Sequence, residues 1–317
     1  MSVAPGIKVQ NVTKVVYSDV TKGRQVIVND LSVAFRAGKS SALLGHNGAG
    51  KTTTIKLILG LVRPTHGQVS IDNNSVGVEQ RRVIGYMPEV NRIPLVLTPV
   101  EVLQFHLATY NPLELNGSTV RNVAIEQALK RVELWEHRKK RVGKLSKGMA
   151  RRLAWAQATI HNPSVLILDE PMSGLDPTGR LAMHGWISEF RASGKTIILC
   201  SHELATVGEL CDDVNILRKG RLVYSSTHEE RAGFYRLSLS GVDEMALNAI
   251  RDGESLSGWS GVHQEGFTAH LVFSNYSDVS QWMQAAFKRG VVVTEFGPAP
   301  LIDEGVLLKF FGKELES

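Results

Sequence analysis

Apolar residues cluster in short, unbroken runs along the first two-thirds of the chain. Ser41-Ala42-Leu43-Leu44 leads into Gly45, Val165 to Leu168 leads into Asp169, and Thr196 to Cys200 forms a third run. Continuous runs of this length, rather than alternating ones, mark strands buried on both faces in a parallel sheet. The last two are separated by a helical pattern from Pro177 to Ala192, which supplies a crossover, and the first is followed by a predicted helix from Lys51 to Leu61. Up to about Leu44 the chain reads as short strands with turn signals.

Between Thr98 and Asn162 the period becomes helical. Thr98-Pro99-Val100-Glu101 has the form of a capping box with proline at the first helical position, and Asn162-Pro163 is a stop signal. This stretch, about 98–162, reads as a helical subdomain inserted into an α/β core. After Ser225 the texture changes again. Strand Tyr235 to Leu239, helix Val242 to Arg251, strands near Trp259 and over Phe267 to Phe273, helix Asp278 to Lys288 and strand Val291 to Phe296 give the order βαββαβ, a ferredoxin-like arrangement. The domains expected are 1–228 and a small α+β domain over 229–317. Leu301 to Phe311 looks like an amphipathic closing element, whose apolar residues fit packing within that small domain.

Composition narrows the class without naming it. With 317 residues, 43% hydrophobic and 21% charged, the chain can bury two cores. No window holds the roughly 18 apolar residues of a spanning helix. Even Ile55 to Val62 is interrupted by Lys56, so a membrane role requires a partner. The N-terminus MSVAPGIKVQ has neither a basic nor an apolar leader region, and Cys200 and Cys211 lack metal or redox spacing, so a cytoplasmic location is expected. The net charge of +5 is scattered, and Arg138-Lys139-Lys140-Arg141 at a helix end reads as a solvated face, so no nucleic-acid partner is expected.

The chemistry lies where strands end. Gly45-His46-Asn47-Gly48-Ala49-Gly50-Lys51-Thr52, followed by Thr53, matches the strand–loop–helix phosphate-binding pattern in its proper context. Glycines let backbone N–H groups turn inward around phosphates, Lys51 reaches the β and γ phosphates, and Thr52 offers a hydroxyl to Mg²⁺. Asp169, at a strand end, can hold Mg²⁺ through bound waters, and Glu170 can orient and deprotonate a water. Taken alone, either carboxylate fits a solvated turn. His202, just past the next strand, should project toward the γ-phosphate. Ser146 reads as a helix N-cap, and a helix N-terminus is an anion site.

Leu145-Ser146-Lys147-Gly148-Met149, ahead of Leu166 to Pro171 and Ser173-Gly174-Leu175-Asp176, resembles the ordered motif set of ABC transporter ATPases, over about Ile7 to Ser225. The resemblance implies a P-loop NTPase cassette with a RecA-like core, an N-terminal antiparallel β subdomain and an inserted helical subdomain, followed here by the C-terminal α+β domain. It also implies ATP and Mg²⁺ as cofactors, Walker A at Gly45 to Thr53, and Asp169 closing Walker B. Glu170 becomes the catalytic carboxylate, Ser173 to Asp176 the D-loop and His202 the switch histidine. In that family two cassettes close head to tail, so Ser146, Gly148 and Asp176 are expected to complete a nucleotide site in a second copy or a paralogous cassette.

This chain departs from the family pattern at three places. Lys147 and Met149 stand where glycine and glutamine are usual, and Glu89 stands at the Q-loop glutamine. An ionised carboxylate there can ligate Mg²⁺ but cannot donate a hydrogen bond. Tyr17 is the adenine-stacking aromatic implied, on a hairpin lengthened by Thr21 to Gln25, although strands favour aromatics in any case. Similar variants occur in exporter cassettes. The expected function is thus the motor of an exporter, on the cytoplasmic side of the inner or plasma membrane, acting on a polytopic permease. The alternative is a soluble ABC ATPase remodelling a ribosome, nucleic acid or assembly complex. A non-hydrolysing scaffold is disfavoured because Lys51, Asp169, Glu170 and His202 are all present.

Overall fold

A computed structural model describes residues 4–18, 23–110, 117–201, 204–227, 235–241, 259–265, 268–273, 276–288 and 291–298. The chain divides into two compact units, 1–225 and 226–317.

The first unit opens with a long antiparallel hairpin, β1 (Ile7–Ser18) and β2 (Gly23–Phe35). Then come β3 (Ser40–Leu44), α1 (Lys51–Ile58), β4 (His66–Ile71), β5 (Asn74–Ser75), α2 (Val78–Arg82) and β6 (Ile84–Met87). Helix α1 stops short of the predicted Leu61. Gly60 takes φ +63°, and its N–H turns back to the Leu57 carbonyl at 3.0 Å, so a glycine in the left-handed region ends the helix. The helical subdomain follows with α3 (Pro99–Tyr110), α4 (Ser118–Arg131) and α5 (Lys147–Thr159). Its entry is the expected capping box, in which Thr98 N–H donates to Glu101 Oε2 at 2.8 Å and Glu101 N–H to Thr98 Oγ1 at 3.4 Å.

The chain then returns through β7 (Val165–Asp169), α6 (Pro177–Ala192), β8 (Thr196–Cys200), α7 (Leu204–Leu210), β9 (Asp213–Arg218) and β10 (Arg221–Thr227). The central sheet has the order β10-β9-β3-β8-β7-β6, and the pairs β3/β8, β3/β9, β7/β8 and β6/β7 are parallel. Every residue of β3, β7 and β8 is buried, which is why these segments read as unbroken apolar runs. The hairpin, β4 and β5 form a separate sheet of order β2-β1-β4-β5. Arg36, just past β2, pairs with the buried Asp213 of β9 at 2.5 Å, and Ser41 Oγ donates to the same carboxylate at 3.1 Å.

The second unit contains β11 (Tyr235–Ser240), β12 (Trp259–Glu265), β13 (Thr268–Phe273), α8 (Tyr276–Lys288) and β14 (Val292–Pro298). Its sheet order is β12-β13-β11-β14, and the described pairs are antiparallel. That interleaving is the one a ferredoxin-like βαββαβ chain produces. Val279, Trp282, Ala285 and Ala286 of α8 bury one face against Leu237, Leu239, Leu271 and Phe273. The predicted helix Val242 to Arg251 and the closing element Leu301 to Phe311 lie outside the described residues.

Candidate nucleotide site

In an open parallel sheet, ligands sit beyond the carboxyl ends of the strands, and this sheet places its polar residues there. The loop 45–50 joins β3 to α1. Gly45 has φ +152°, and a Cβ on it would meet the Leu217 carbonyl at 2.5 Å, so only glycine lets the loop pass this close to the neighbouring strand. Gly50 caps α1 at φ 103°, with no side-chain cap and no acidic residue in the first turn. The N-terminus of α1 is therefore open to an anion. The rim residues Asn47, Gly48 and Thr52 are exposed, Ala49 and Gly50 are buried, and His46, Lys51 and Thr53 are half-buried. Lys51 Nζ folds back over the loop, donating to the carbonyls of Gly45 and, at 3.1 Å, of His46.

Asp169 ends β7, paired in register with Cys200 of β8, and is 3% exposed. Burial, then the nearby carboxylates of Glu89 and Glu170, push its carboxyl up to about 6, against the opposing pull of Lys51 and Arg151. These interactions bring Glu89, Asp169, Glu170 and Lys51 into one electrostatic cluster. A cation would relieve the carboxylates around this buried acid, but among the described residues no three acidic, histidine or cysteine side chains are placed to hold a metal by themselves. Mg²⁺ here would therefore share its ligands with the phosphate chain that the glycine cradle and open helix N-terminus fit. Glu170 follows Asp169 with φ 48°, an uncommon value for a residue with a side chain. Its N–H donates to the Cys200 carbonyl at 2.9 Å, and Ser173 N–H donates to its carbonyl at 3.1 Å. His202, two residues past Cys200, lies outside the described residues.

Ser146 caps α5 as the sequence predicts, its Oγ accepting from Met149 N–H at 3.2 Å, with the serine itself exposed. Asp176 caps α6 in the same way, accepting from Gly179 N–H at 3.0 Å, with proline at the first helical position. Gly148 lies in the first turn of α5, where an added Cβ would find its nearest heavy atom, Leu175 Cδ2, 3.8 Å away. Tyr17 sits near the end of the hairpin where β1 leads on to β2, opposite Arg24, 78% exposed. Of the basic run, Lys139, Lys140 and Arg141 are exposed, while Arg138 stacks over the Trp135 ring at 4.4 Å.

One residue of the site escaped the sequence reading. Arg151, 4% exposed on α5, donates to the main-chain carbonyls of Pro88 and Glu89 on one side and of Asp169, Glu170 and Pro171 on the other. Its signal was present, because Arg151 precedes Ala154, Trp155 and Ala158 at helical spacings of three, four and seven, all of them buried. The adjacent Arg152 faces outward and pairs with Glu133.

A family profile described as ABC transporter matches residues 28–173. An uncharacterized ABC transporter ATP-binding protein of Synechocystis is 38% identical over 223 residues, 68% of this chain and 62% of that protein. The chain thus spans less than two-thirds of that relative's length. The Nod factor export ATP-binding protein I of Burkholderia orbicola is 33% identical over 254 residues, covering 78% of this chain and 80% of the relative. Among solved structures, an ATP-binding subunit of an ABC transporter superposes with a TM-score of 0.63 at 30% identity, over 71% of this chain and 91% of the other.

Proposed function

The chain belongs to the family of ABC transporter ATP-binding proteins, and from that premise we propose that it binds and hydrolyses ATP with Mg²⁺ as the motor of an export system. The observation that carries the reading is the convergence of the glycine loop, Lys51, Asp169 and Glu170 at the carboxyl end of one parallel sheet. Loop N–H groups and Lys51 hold the phosphate chain, and Tyr17 stacks on the base. Thr52, Asp169 and Glu89 hold Mg²⁺, which when bound neutralises phosphate charge and polarises the bond to be broken. Glu170 orients the attacking water and takes its proton, and His202 contacts the γ-phosphate.

Ser146, Gly148 and Asp176 present a capped helix start, a small residue and a turn for the nucleotide of a second cassette. In this reading two cassettes close around ATP and reopen after hydrolysis. Among the described residues no helix is long and apolar enough to cross a membrane. In this reading, which rests on the family and its export relative, the motor works peripherally on the cytoplasmic face through a polytopic subunit. The exposed Val90, Leu95, Val96 and Phe105, on the loop after β6 and on α3, support such a contact. The Nod factor export relative favours outward transport.

The test is ATP hydrolysis by the purified chain, with co-purification from detergent-solubilised host membranes. Glu170→Gln should lower turnover by about 10²- to 10⁴-fold while keeping ATP binding, because it removes the base and leaves the cradle. It should also trap a complex containing a polytopic protein. Unchanged turnover in that variant sinks the catalytic assignment. Recovery of ribosomes or soluble partners alone would replace the transport reading with that of a soluble remodelling ATPase.

A further inference from the structure

The guanidinium of Arg151 is buried, yet no described hydrogen bond joins it to a carboxylate. It donates instead to five main-chain carbonyls on two separate segments: Pro88 and Glu89 after β6, and Asp169, Glu170 and Pro171 after β7. Those segments carry all three carboxylates of the cluster. Helix α5 lies hard against β6, where a Cβ on Gly85 would meet the Ala158 carbonyl at 2.1 Å, so Arg151 approaches both strand ends from a fixed base. Five carbonyl dipoles point at one delocalised cation, which a planar fork of five N–H donors can satisfy and a single ammonium cannot. The carbonyl of Glu170 is among them, and Glu170 is the residue held at φ 48°. A left-handed conformation in a residue with a side chain is uncommon and persists where its surroundings enforce it.

We propose that Arg151 is a positioning residue for hydrolysis, locking the backbone of Glu170 and Glu89 so that both carboxylates face the γ-phosphate position. This rests on the ATPase reading above. The described hydrogen bonds of the arginine all go to main-chain carbonyls, so its role is indirect. It acts by fixing two turns whose side chains meet the reacting groups in that reading, and by linking them to the helix that begins at Ser146. A shift of α5 by about 1 Å would therefore move Glu170 and Glu89 together, and misplacement on that scale is enough to cost about 100-fold in rate.

The experiment compares wild type, Glu170→Gln, Arg151→Lys and Arg151→Gln in steady-state ATP hydrolysis, with kcat normalised to nucleotide sites titrated in each preparation. Thermal unfolding is recorded alongside. Arg151→Lys keeps a buried cation and most of the volume but loses the fork. We expect both Arg151 variants to bind ATP within about threefold of wild type and to lose at least tenfold in kcat at little-changed KM, lysine retaining more than glutamine. A kcat within twofold of wild type per titrated site in Arg151→Lys overturns the proposal, whatever its melting temperature. So does a rise confined to KM, and so does failure of both variants to fold, which would make the arginine a structural residue. Absence of hydrolysis in wild type, or an unaffected Glu170→Gln, instead overturns the ATPase reading itself.

Discussion

Lys51 Nζ lies 3.1 Å from the main-chain carbonyl of His46 and also donates to that of Gly45, so the ammonium is held across the mouth of the loop its own helix follows. These carbonyls keep the cation where phosphate oxygens would meet it, and exchanging neutral acceptors for anionic ones is favourable. Lys51→Ala should weaken ATP binding by about 10- to 100-fold, the value of one charge-assisted hydrogen bond. Melting temperature should change little, because among the described residues the side chain hydrogen-bonds only to the loop. A fluorescent-nucleotide titration showing wild-type affinity would remove Lys51 from the site.

Asp169 makes a stability prediction with a definite sign. Its folded pKa is raised from 3.8 to about 6, first by burial and then by Glu89 and Glu170. Between those values the folded chain holds more protons than the unfolded one, so this group costs stability as pH rises, and the full cost applies above pH 6. Asp169→Asn removes the buried charge and should stabilise the nucleotide-free, metal-free chain by about 2–3 kcal/mol at pH 8. The gain should shrink as pH falls through 6 towards 4, while hydrolysis is lost at all pH. Chemical unfolding at pH 8 and pH 4 checks it, and an equal or lower stability of the variant at pH 8 would refute the account.

His106 and His161 titrate in the opposite sense. His106 Nε2 and His161 Nδ1 are 3.0 Å apart, and His161 Nε2 lies 3.1 Å from the Ile84 carbonyl. Because that carbonyl can only accept, His161 carries its proton on Nε2 and receives the hydrogen bond of His106. Tyr110 stacks on His106 with centroids 4.4 Å apart. Burial lowers His106 to about 3, with a further push from His161, and lowers His161 to about 4. The unfolded chain, with histidines near 6.5, binds more protons below that pH, so stability should fall as pH drops from 6.5 to about 4, by about 1.4 kcal/mol per pH unit for each proton. His106→Phe keeps the stacking and should flatten this slope by about one proton, read from urea unfolding at pH 7, 6 and 5.

The elements most legible in the sequence are those whose burial is complete. Val165 to Leu168 and Thr196 to Cys200 could only be central strands, and the pattern from Pro177 to Ala192 matches α6 end to end. β6, β9 and α7 were not read: β6 and α7 are too short to show a period, and β9, though buried between β10 and β3, has Asp213, Asn215 and Arg218 interrupting its apolar residues. The loop and the carboxylates were visible because phosphate binding demands fixed residue types at fixed spacings. Arg151 was hidden for the converse reason. Its partners are main-chain carbonyls, which leave no trace in residue identity, and within Arg151-Arg152 only helix phase decides which arginine turns inward.

Gly148 separates what a single chain needs from what a pair needs. Within one chain its position is roomy, since the nearest heavy atom to an added Cβ is 3.8 Å away and its φ is not in the left-handed range. Alanine in the first turn of α5 should be tolerated and, by helix propensity, should stabilise the monomer by about 0.5 kcal/mol. If the N-terminus of α5 closes on the nucleotide of a second cassette, that methyl group stands where phosphate oxygens must approach. Gly148→Ala should therefore leave melting temperature unchanged or raised and ATP affinity of the monomer intact, yet cut hydrolysis at least tenfold and abolish ATP-dependent dimers of the Glu170→Gln chain in size-exclusion chromatography. Full activity in Gly148→Ala would mean that α5 meets no nucleotide, and the head-to-tail arrangement would have to be abandoned. Loss of activity together with loss of monomer ATP binding would place the fault within the chain's own loop and also refute the role given to Gly148.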